Sequence, residues 1–159
     1  MVSAHSSTGR IKPLHGNEST AKLLGYAGLI PFLTFSIGCW LPLPYVSDAL
    51  SVLIAYAAVI LSFMGAIHWG AAMSSSGNKG NQYFLVSVSP ALLAWLALMT
   101  TAVLSLTILL FGFILLYLYD RAVQKPQDFP PWYIPMRKNL TIVVTVCLAS
   151  ALFSTAWSW

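Results

Sequence analysis

The sequence predicts an all-α membrane protein, a bundle of five transmembrane helices with its N-terminus inside and its C-terminus outside. The first observation is composition: 58% of the residues are hydrophobic and only 8% are charged, whereas soluble domains average about 25% charged residues. The second is order: five apolar segments alternate with shorter polar ones, and a hydrocarbon core of ~30 Å requires about 20 helical residues. Because the segments are continuously apolar, they do not fit the alternating strands of a membrane β-barrel.

The basic residues predict the orientation. When the apolar segments are threaded alternately through a membrane, all eight Lys and Arg residues fall on one side, which carries Arg10, Lys12, Lys22, Lys79, Arg121, Lys125, Arg137 and Lys138. Cytoplasmic loops are enriched in Lys and Arg, so this side is predicted to be the cytoplasmic one. Basic residues that flank spans face anionic lipid headgroups, so the net charge of +4 is no indication of nucleic-acid binding.

Residues 1–20 are polar and are predicted to form a flexible tail. The first span is predicted over residues 21–41. Pro31 lies near its middle, removes one backbone donor and frees the carbonyl of Ala27, so we expect a bend there. Trp40 lies where an outer belt of aromatic residues is expected.

The second span, over residues 49–73, is the longest of the five. It carries small residues one helical turn apart, at Ala58, Ser62, Ala66 and Gly70. A stripe of small residues lets a second helix approach closely, so we interpret these four residues as a packing face. The alternative is that small residues are simply common in membrane helices.

The third and fourth spans are predicted to form a hairpin. The apolar run that follows the second loop would reach about 55 Å as a single helix, far more than the bilayer thickness. We therefore expect a turn at Thr100 and Thr101, with spans over residues 83–99 and 102–119. Pro90 interrupts the third span near its middle and is the second predicted bend.

The loop Asp120–Asn139 contains four prolines and is predicted to be an irregular segment in the inner headgroup layer. The fifth span follows over residues 140–159 and ends in Trp157 and Trp159, which are expected to anchor its outer end. The stretches between spans are too short to build a soluble core, so residues 21–159 are predicted to be one transmembrane domain.

His68 is the ionisable side chain that lies well inside a predicted span, which makes it a functional hypothesis by default. Three interpretations compete: a neutral histidine bonded to a neighbouring helix, a proton or ligand site, or a single ligand to a haem. A zinc site needs three or four protein ligands, and no other predicted span contains a histidine. We therefore predict no metal site and no cofactor, while a haem held by His68 stays an open alternative.

Asp120 and Arg137 are predicted to lie at the same inner level as His68, at the end of the fourth span and just before the fifth. One interpretation is an exposed ion pair, worth about 0–1 kcal/mol. The other is a polar cluster of all three residues that opens to the cytoplasm. With Trp69, which follows His68, they form the predicted ligand-binding set.

The sequence contains no phosphate-binding glycine loop, nucleophile elbow or His-Glu-x-x-His pattern. The whole chain has four acidic residues, and none is predicted inside a span. We therefore expect that the protein is not an enzyme.

Several segments resemble a family of small multi-spanning membrane proteins known as a domain of unknown function. They are Leu24–Phe32, Leu61–Gly70, Tyr119-Asp120, Trp132-Tyr133 and Arg137–Thr141, and the most distinctive is Gly-Ala-Ile-His-Trp-Gly around His68. Family members include bacterial proteins and a eukaryotic transmembrane protein assigned to mitochondria. The resemblance implies an energy-transducing membrane: the bacterial inner membrane or, as the alternative, the mitochondrial inner membrane. It supplies no catalytic residue.

The first functional hypothesis is an accessory, assembly or scaffolding protein in the lipid bilayer, which binds other membrane proteins or a second copy of itself. Its reason is physical, because five helices with small-residue faces offer good lateral contacts. The alternative is a protein that binds or transports a proton, a quinone or a small solute near His68, on the cytoplasmic half.

Overall fold

A computed structural model describes the chain over residues 15–41, 46–73, 78–123 and 131–157. This part of the chain is helical, without a strand, and forms α1 (His15–Ala27), α2 (Leu29–Gly38), α3 (Val46–Met73), α4 (Asn78–Leu98), α5 (Ala102–Val123) and α6 (Tyr133–Trp157). Five segments are long and apolar enough to cross a membrane: Glu18–Gly38, Asp48–Gly70, Asn81–Leu98, Ala102–Ala122 and Tyr133–Trp157. The predicted five-span helical fold is confirmed, and its orientation in the membrane stays a prediction.

The first span consists of two helices, because α1 and α2 are separated at Gly28. Pro31 lies in the first turn of α2, where a proline sacrifices no intrahelical hydrogen bond. The hydroxyl of Tyr56 on α3 donates to the Gly28 carbonyl at 3.0 Å, which satisfies a backbone acceptor at the interruption. Helix α1 begins at His15, so the end of the predicted tail is helical; residues 1–14 lie outside the described residues.

Helices α3 and α4 lie close together at Gly65. A Cβ atom there would lie 2.7 Å from the carbonyl oxygen of Ser87 and 2.9 Å from Cγ of Pro90, so only a glycine fits. Pro90 lies inside α4, and the neighbouring Ser89 hydroxyl donates to the Leu85 carbonyl at 2.7 Å. This close approach of α4 to α3 is therefore at a residue outside the predicted stripe.

The four residues of the predicted stripe have different surroundings. Ala58 is buried in the core, and Ser62 is half-buried with its hydroxyl donating to the Ala58 carbonyl at 2.8 Å. Ala66 and Gly70 are exposed on the outside of the bundle. Within the described residues, the first half of the stripe is thus less exposed than the second.

The last helix begins at Tyr133, where the sequence indicated an irregular segment as far as Asn139 and a span from Leu140. Pro135 does not prevent this, because it lies in the first turn of α6, where the missing N–H has no intrahelical partner to lose. As a result Arg137 is a helical residue inside the bundle. Residues 124–130 and Trp159, with the predictions made for them, lie outside the described residues.

Helix α3 contacts α2, α4 and α5, while α6 packs against α5 and α2. The core between them is formed by large apolar side chains, among them Phe32, Leu53, Leu61, Leu106, Phe113 and Leu148. The outer surface is also apolar, with exposed side chains such as Ile30, Phe63, Leu115 and Val146. Apolar side chains both inside and outside are typical of a bundle surrounded by lipid.

The charged residues are divided between the two ends of the bundle. Within the described ranges, every Lys and Arg lies at the end where α3 and α5 finish and α4 and α6 begin, namely Lys22, Lys79, Arg121, Arg137 and Lys138. We call this the basic end. Asp48, in the first turn of α3, is exposed at the opposite end. Arg10, Lys12 and Lys125 lie outside the described residues.

Candidate functional site

Three charged or polar side chains from three helices meet inside the basic end of the bundle. Arg137 Nε on α6 donates to Asp120 Oδ2 on α5 at 2.8 Å. His68 Nε2 on α3 lies 3.0 Å from Asp120 Oδ1, which is an ion-pair distance rather than an aligned hydrogen bond. We call His68, Asp120 and Arg137 the polar cluster.

The helix ends explain why these residues meet. His68 lies near the end of α3, Asp120 near the end of α5 and Arg137 in the second turn of α6, so all three occupy one level of the bundle. Aromatic rings cover His68 from two further directions. The ring of Tyr119 on α5 lies 5.5 Å from the imidazole and that of Tyr83 on α4 lies 6.2 Å from it, between centroids.

The polar cluster is closed, so it is neither the exposed ion pair nor the cluster open to the cytoplasm that were the two interpretations of the sequence. The side chains of His68, Asp120 and Arg137 are 2%, 0% and 3% exposed, so the cluster does not open directly to either side of the membrane. Breaking a buried ion pair by removing one partner typically costs about 3–5 kcal/mol, because the remaining charge is left uncompensated. The pair is therefore a structural element as well as a candidate site.

The cluster has more hydrogen-bonding capacity than its own members use. The guanidinium of Arg137 contacts the sulfur of Met64 through Nη1, and a thioether is only a weak acceptor. Among the described residues, neither Arg137 Nη2 nor His68 Nδ1 has a hydrogen-bond partner. A buried donor without a partner costs about 1–3 kcal/mol, and more when it is charged.

A crevice of about 390 Å³ lies beside the cluster, between α1, α2, α3 and α6. Most of its walls are apolar, and they include Leu24, Phe32, Phe63, Phe113, Met136 and Val144. Leu24 and Phe63 are 67% and 62% exposed on the outer surface of the bundle, while Phe32 is buried. The crevice therefore leads from the lipid-facing surface into the interior.

Arg137 belongs both to the polar cluster and to the wall of this crevice. Thr141 lies one turn further along α6, on the same helix face, and also lines the crevice. Its buried Oγ1 has no hydrogen-bond partner within the described ranges. Two unpartnered polar atoms, Arg137 Nη2 and Thr141 Oγ1, thus belong to adjacent positions on one wall of an otherwise apolar space.

Of the four residues in the predicted ligand-binding set, the structure brings together His68, Asp120 and Arg137. Trp69 is separate: its side chain is 48% exposed, and its ring packs edge-on against Phe84 at 4.9 Å between centroids. Within the part of the chain that the structure describes, no three residues among His, Cys, Asp and Glu converge as metal ligands would.

The sequence interpretation missed Met64 and Thr141. The available signal was helical spacing, because Met64 precedes His68 by one turn and Thr141 follows Arg137 by one turn. Both side chains are uncharged, so a search of the spans for ionisable residues does not find them. The crevice itself has no signal in the sequence, since its walls are ordinary apolar residues from separate helices.

Comparisons with known proteins agree with this architecture. The family described as "Protein of unknown function (DUF3429)" matches residues 17–153. A curated relative, Transmembrane protein 69 of Xenopus tropicalis, is 31% identical over 155 residues, which cover 92% of this chain and 58% of the relative. This chain therefore spans little more than half the length of that relative. No solved structure matches the chain.

Proposed function

This chain belongs to the DUF3429 family of multi-spanning membrane proteins, and we propose that it binds a small, membrane-dissolved molecule in the crevice beside Arg137. One observation carries the proposal. The Arg137 side chain is 3% exposed, lines the crevice, and has a guanidinium nitrogen, Nη2, without a partner among the described residues.

A purely structural role does not account for this arrangement. The contact between Arg137 Nε and Asp120 is enough to join α6 to α5. Leaving Nη2 unpaired in an apolar space lowers stability, since buried donors are almost always hydrogen-bonded. A ligand with an acceptor atom would give Nη2 a hydrogen bond, so the loss of stability is explained if the crevice is occupied during function.

The size and lining of the crevice also favour binding. Pockets for small molecules usually have volumes of about 300–1,000 Å³, mainly apolar walls and a few polar groups that fix the ligand. This crevice has about 390 Å³, with Tyr133, Arg137 and Thr141 among its polar residues. Because exposed Leu24 and Phe63 border it, a ligand dissolved in the bilayer would enter sideways from the lipid.

The proposed activity is binding without catalysis. Asp120, the acidic residue of the polar cluster, does not line the crevice, so it would not contact a ligand bound there. We propose the bacterial inner membrane as the location, with the mitochondrial inner membrane as the alternative. The reason is the family resemblance, which implies an energy-transducing membrane.

The test is to fill the crevice and look for loss of a bound molecule. Ala21 lines the crevice on α1, whereas Ala27 lies on the same helix, is exposed and does not line it. Wild type, Ala21→Trp and Ala27→Trp are purified in mild detergent and compared by native mass spectrometry. We expect one small molecule per protein in wild type and Ala27→Trp, and none in Ala21→Trp. Equal occupancy in all three proteins, or a wild type without a bound molecule, would overturn the proposal.

A second function, association with a helix of another membrane protein as an accessory or assembly factor, is favoured by the exposure of Ala66 on α3. A small residue on the outer surface lets a partner helix approach closely. Enlarging it in Ala66→Leu should abolish co-purification of the partner. Ala55→Leu, an exposed change on the same helix, should not. Co-purification that survives Ala66→Leu would argue against this function.

A further inference from the structure

We propose, on the basis of the binding function above, that the ligand is an uncharged amphiphile whose carbonyl oxygen accepts hydrogen bonds from Arg137 Nη2 and Thr141 Oγ1. Its apolar tail would extend along the crevice towards Phe32 and Val144.

The head must carry an acceptor. A guanidinium only donates hydrogen bonds, and a threonine hydroxyl can donate as well as accept. Both Arg137 Nη2 and Thr141 Oγ1 are buried without partners in the described part of the chain. A single carbonyl oxygen has two lone pairs and can accept from both, whereas a head that only donates would leave the guanidinium unpaired.

The head is uncharged because the positive charge of Arg137 is already compensated. Asp120 Oδ2 lies 2.8 Å from Arg137 Nε, so the carboxylate compensates the charge of the guanidinium. Arg137 is the one charged residue among the described residues that line the crevice. Arg121 and Lys138, two described basic residues at the same end of the bundle, are exposed.

An anionic head would therefore bring an uncompensated charge into an apolar space, which is far more costly than burying a hydrogen-bonded polar group. A carbonyl gains a hydrogen bond to a charged donor without that penalty. A cluster with a net positive charge would instead favour an anionic head. The two cases differ in which head binds more tightly, so they can be separated by experiment.

The tail direction follows from the order of residues along α6. Arg137 is at the basic end, Thr141 is one turn deeper and Val144 deeper still. At 1.5 Å per residue, the wall from Arg137 to Val144 is about 10 Å long. The buried ring of Phe32 also lines the crevice. The polar head would thus lie near the basic end and the tail in the hydrocarbon region, which is the natural orientation of a membrane amphiphile.

The experiment varies the head and keeps the tail constant. Full-length protein in phosphatidylcholine nanodiscs binds tritiated 2-dodecanone in a scintillation proximity assay, and dodecane and dodecanoate serve as unlabelled competitors. We expect 2-dodecanone to bind about tenfold more tightly than dodecane, with dodecanoate weaker than the ketone. In Thr141→Val this preference for the ketone over dodecane should fall several-fold, with dodecane binding unchanged.

Two further variants make the result specific. Thr145→Val is the matched control, because the Thr145 hydroxyl already donates to the carbonyls of Thr141 and Ile142 on its own helix. This variant should prefer the ketone over dodecane as strongly as wild type does. Arg137→Lys keeps the positive charge but removes Nη2, and if it folds it should lose most of the preference. If Arg137→Lys does not fold, the comparison of Thr141→Val with Thr145→Val still tests the inference.

The outcomes separate this inference from the function on which it rests. If dodecanoate binds most tightly, or dodecane binds as tightly as the ketone, the uncharged carbonyl head is refuted while binding in the crevice stands. If no probe shows saturable binding, or if Ala21→Trp binds all of them as wild type does, both the ligand class and the binding function fail. A preference for the ketone that survives in Thr141→Val would refute the assigned role of Thr141.

Discussion

Two polar contacts between helix α6 and its neighbours differ in completeness: one lies at the basic end, and the other lies in the second half of the helix. In that second half, the Ser36 hydroxyl on α2 donates to the Cys147 carbonyl at 3.0 Å, and Trp40 Nε1 donates to the Ser150 hydroxyl at 2.9 Å. At the basic end, Arg137 meets Asp120 but has a nitrogen left without a partner among the described residues. We call these the far contact and the basic contact.

The difference shows what helix packing alone requires. The far contact uses neutral groups, each bonded within the chain, and none of its residues lines the crevice. The basic contact uses charged groups, has unused donors and borders the crevice. Helices in a membrane can be joined by neutral hydrogen bonds of modest strength. A buried arginine with unpaired donors is therefore not needed to join α6 to its neighbours. This is our reason to regard the basic contact as functional.

The largest expected effect comes from removing the charge of Asp120. Asp120→Asn leaves Arg137 buried without a counter-charge, so the free energy of unfolding should fall by about 3–5 kcal/mol. Thermal or denaturant-induced unfolding in detergent micelles measures the change. A loss below about 1 kcal/mol would show that water or lipid headgroups reach Arg137. The basic contact would then contribute no more to stability than the far contact.

A smaller loss is expected when both charges are removed. Asp120→Asn combined with Arg137→Met leaves no buried charge in the pair, and replacing a buried ion pair by apolar groups is often nearly neutral. The double variant should recover most of the stability lost in Asp120→Asn, to within about 2 kcal/mol of wild type. Co-purification of the small molecule should still be lost, which native mass spectrometry would detect. Retained binding would show that the ion pair has a structural role alone.

The two contacts also differ in how far the sequence could predict them. The membrane class follows from composition, and the residues of the polar cluster follow from their charge and their level in the spans. Their burial does not follow, because it depends on the rotation of α3, α5 and α6 about their axes. Pro135 suggested an irregular segment, whereas its position in the first turn of α6 is compatible with a helix. The crevice depends on the packing of side chains from separate helices, which no local pattern records.

Thr141→Val should raise the stability of the protein, whereas the two Asp120 variants should lower it. The variant removes a buried hydroxyl that has no partner among the described residues and keeps a similar shape. Without added ligand the free energy of unfolding should rise by about 1 kcal/mol, because an unsatisfied buried polar atom is lost. Thermal unfolding of ligand-depleted protein measures this, with Thr145→Val as the control in which satisfied hydrogen bonds are removed. A destabilised Thr141→Val would mean that its hydroxyl already has a partner, such as an ordered water.

The smallest effect is expected at the far contact. In Ser36→Ala one neutral hydrogen bond between α2 and α6 is lost, but the Cys147 carbonyl lies within α6 and keeps its acceptor role in the helix. No buried polar atom is left unpaired, so the free energy of unfolding should fall by only about 0.5–1 kcal/mol. The same unfolding measurements test this, and binding in the crevice should be unchanged because Ser36 does not line it. A loss of several kcal/mol, or a loss of the bound molecule, would show that the far contact is not a simple packing contact and would remove the contrast on which the functional assignment of Arg137 rests.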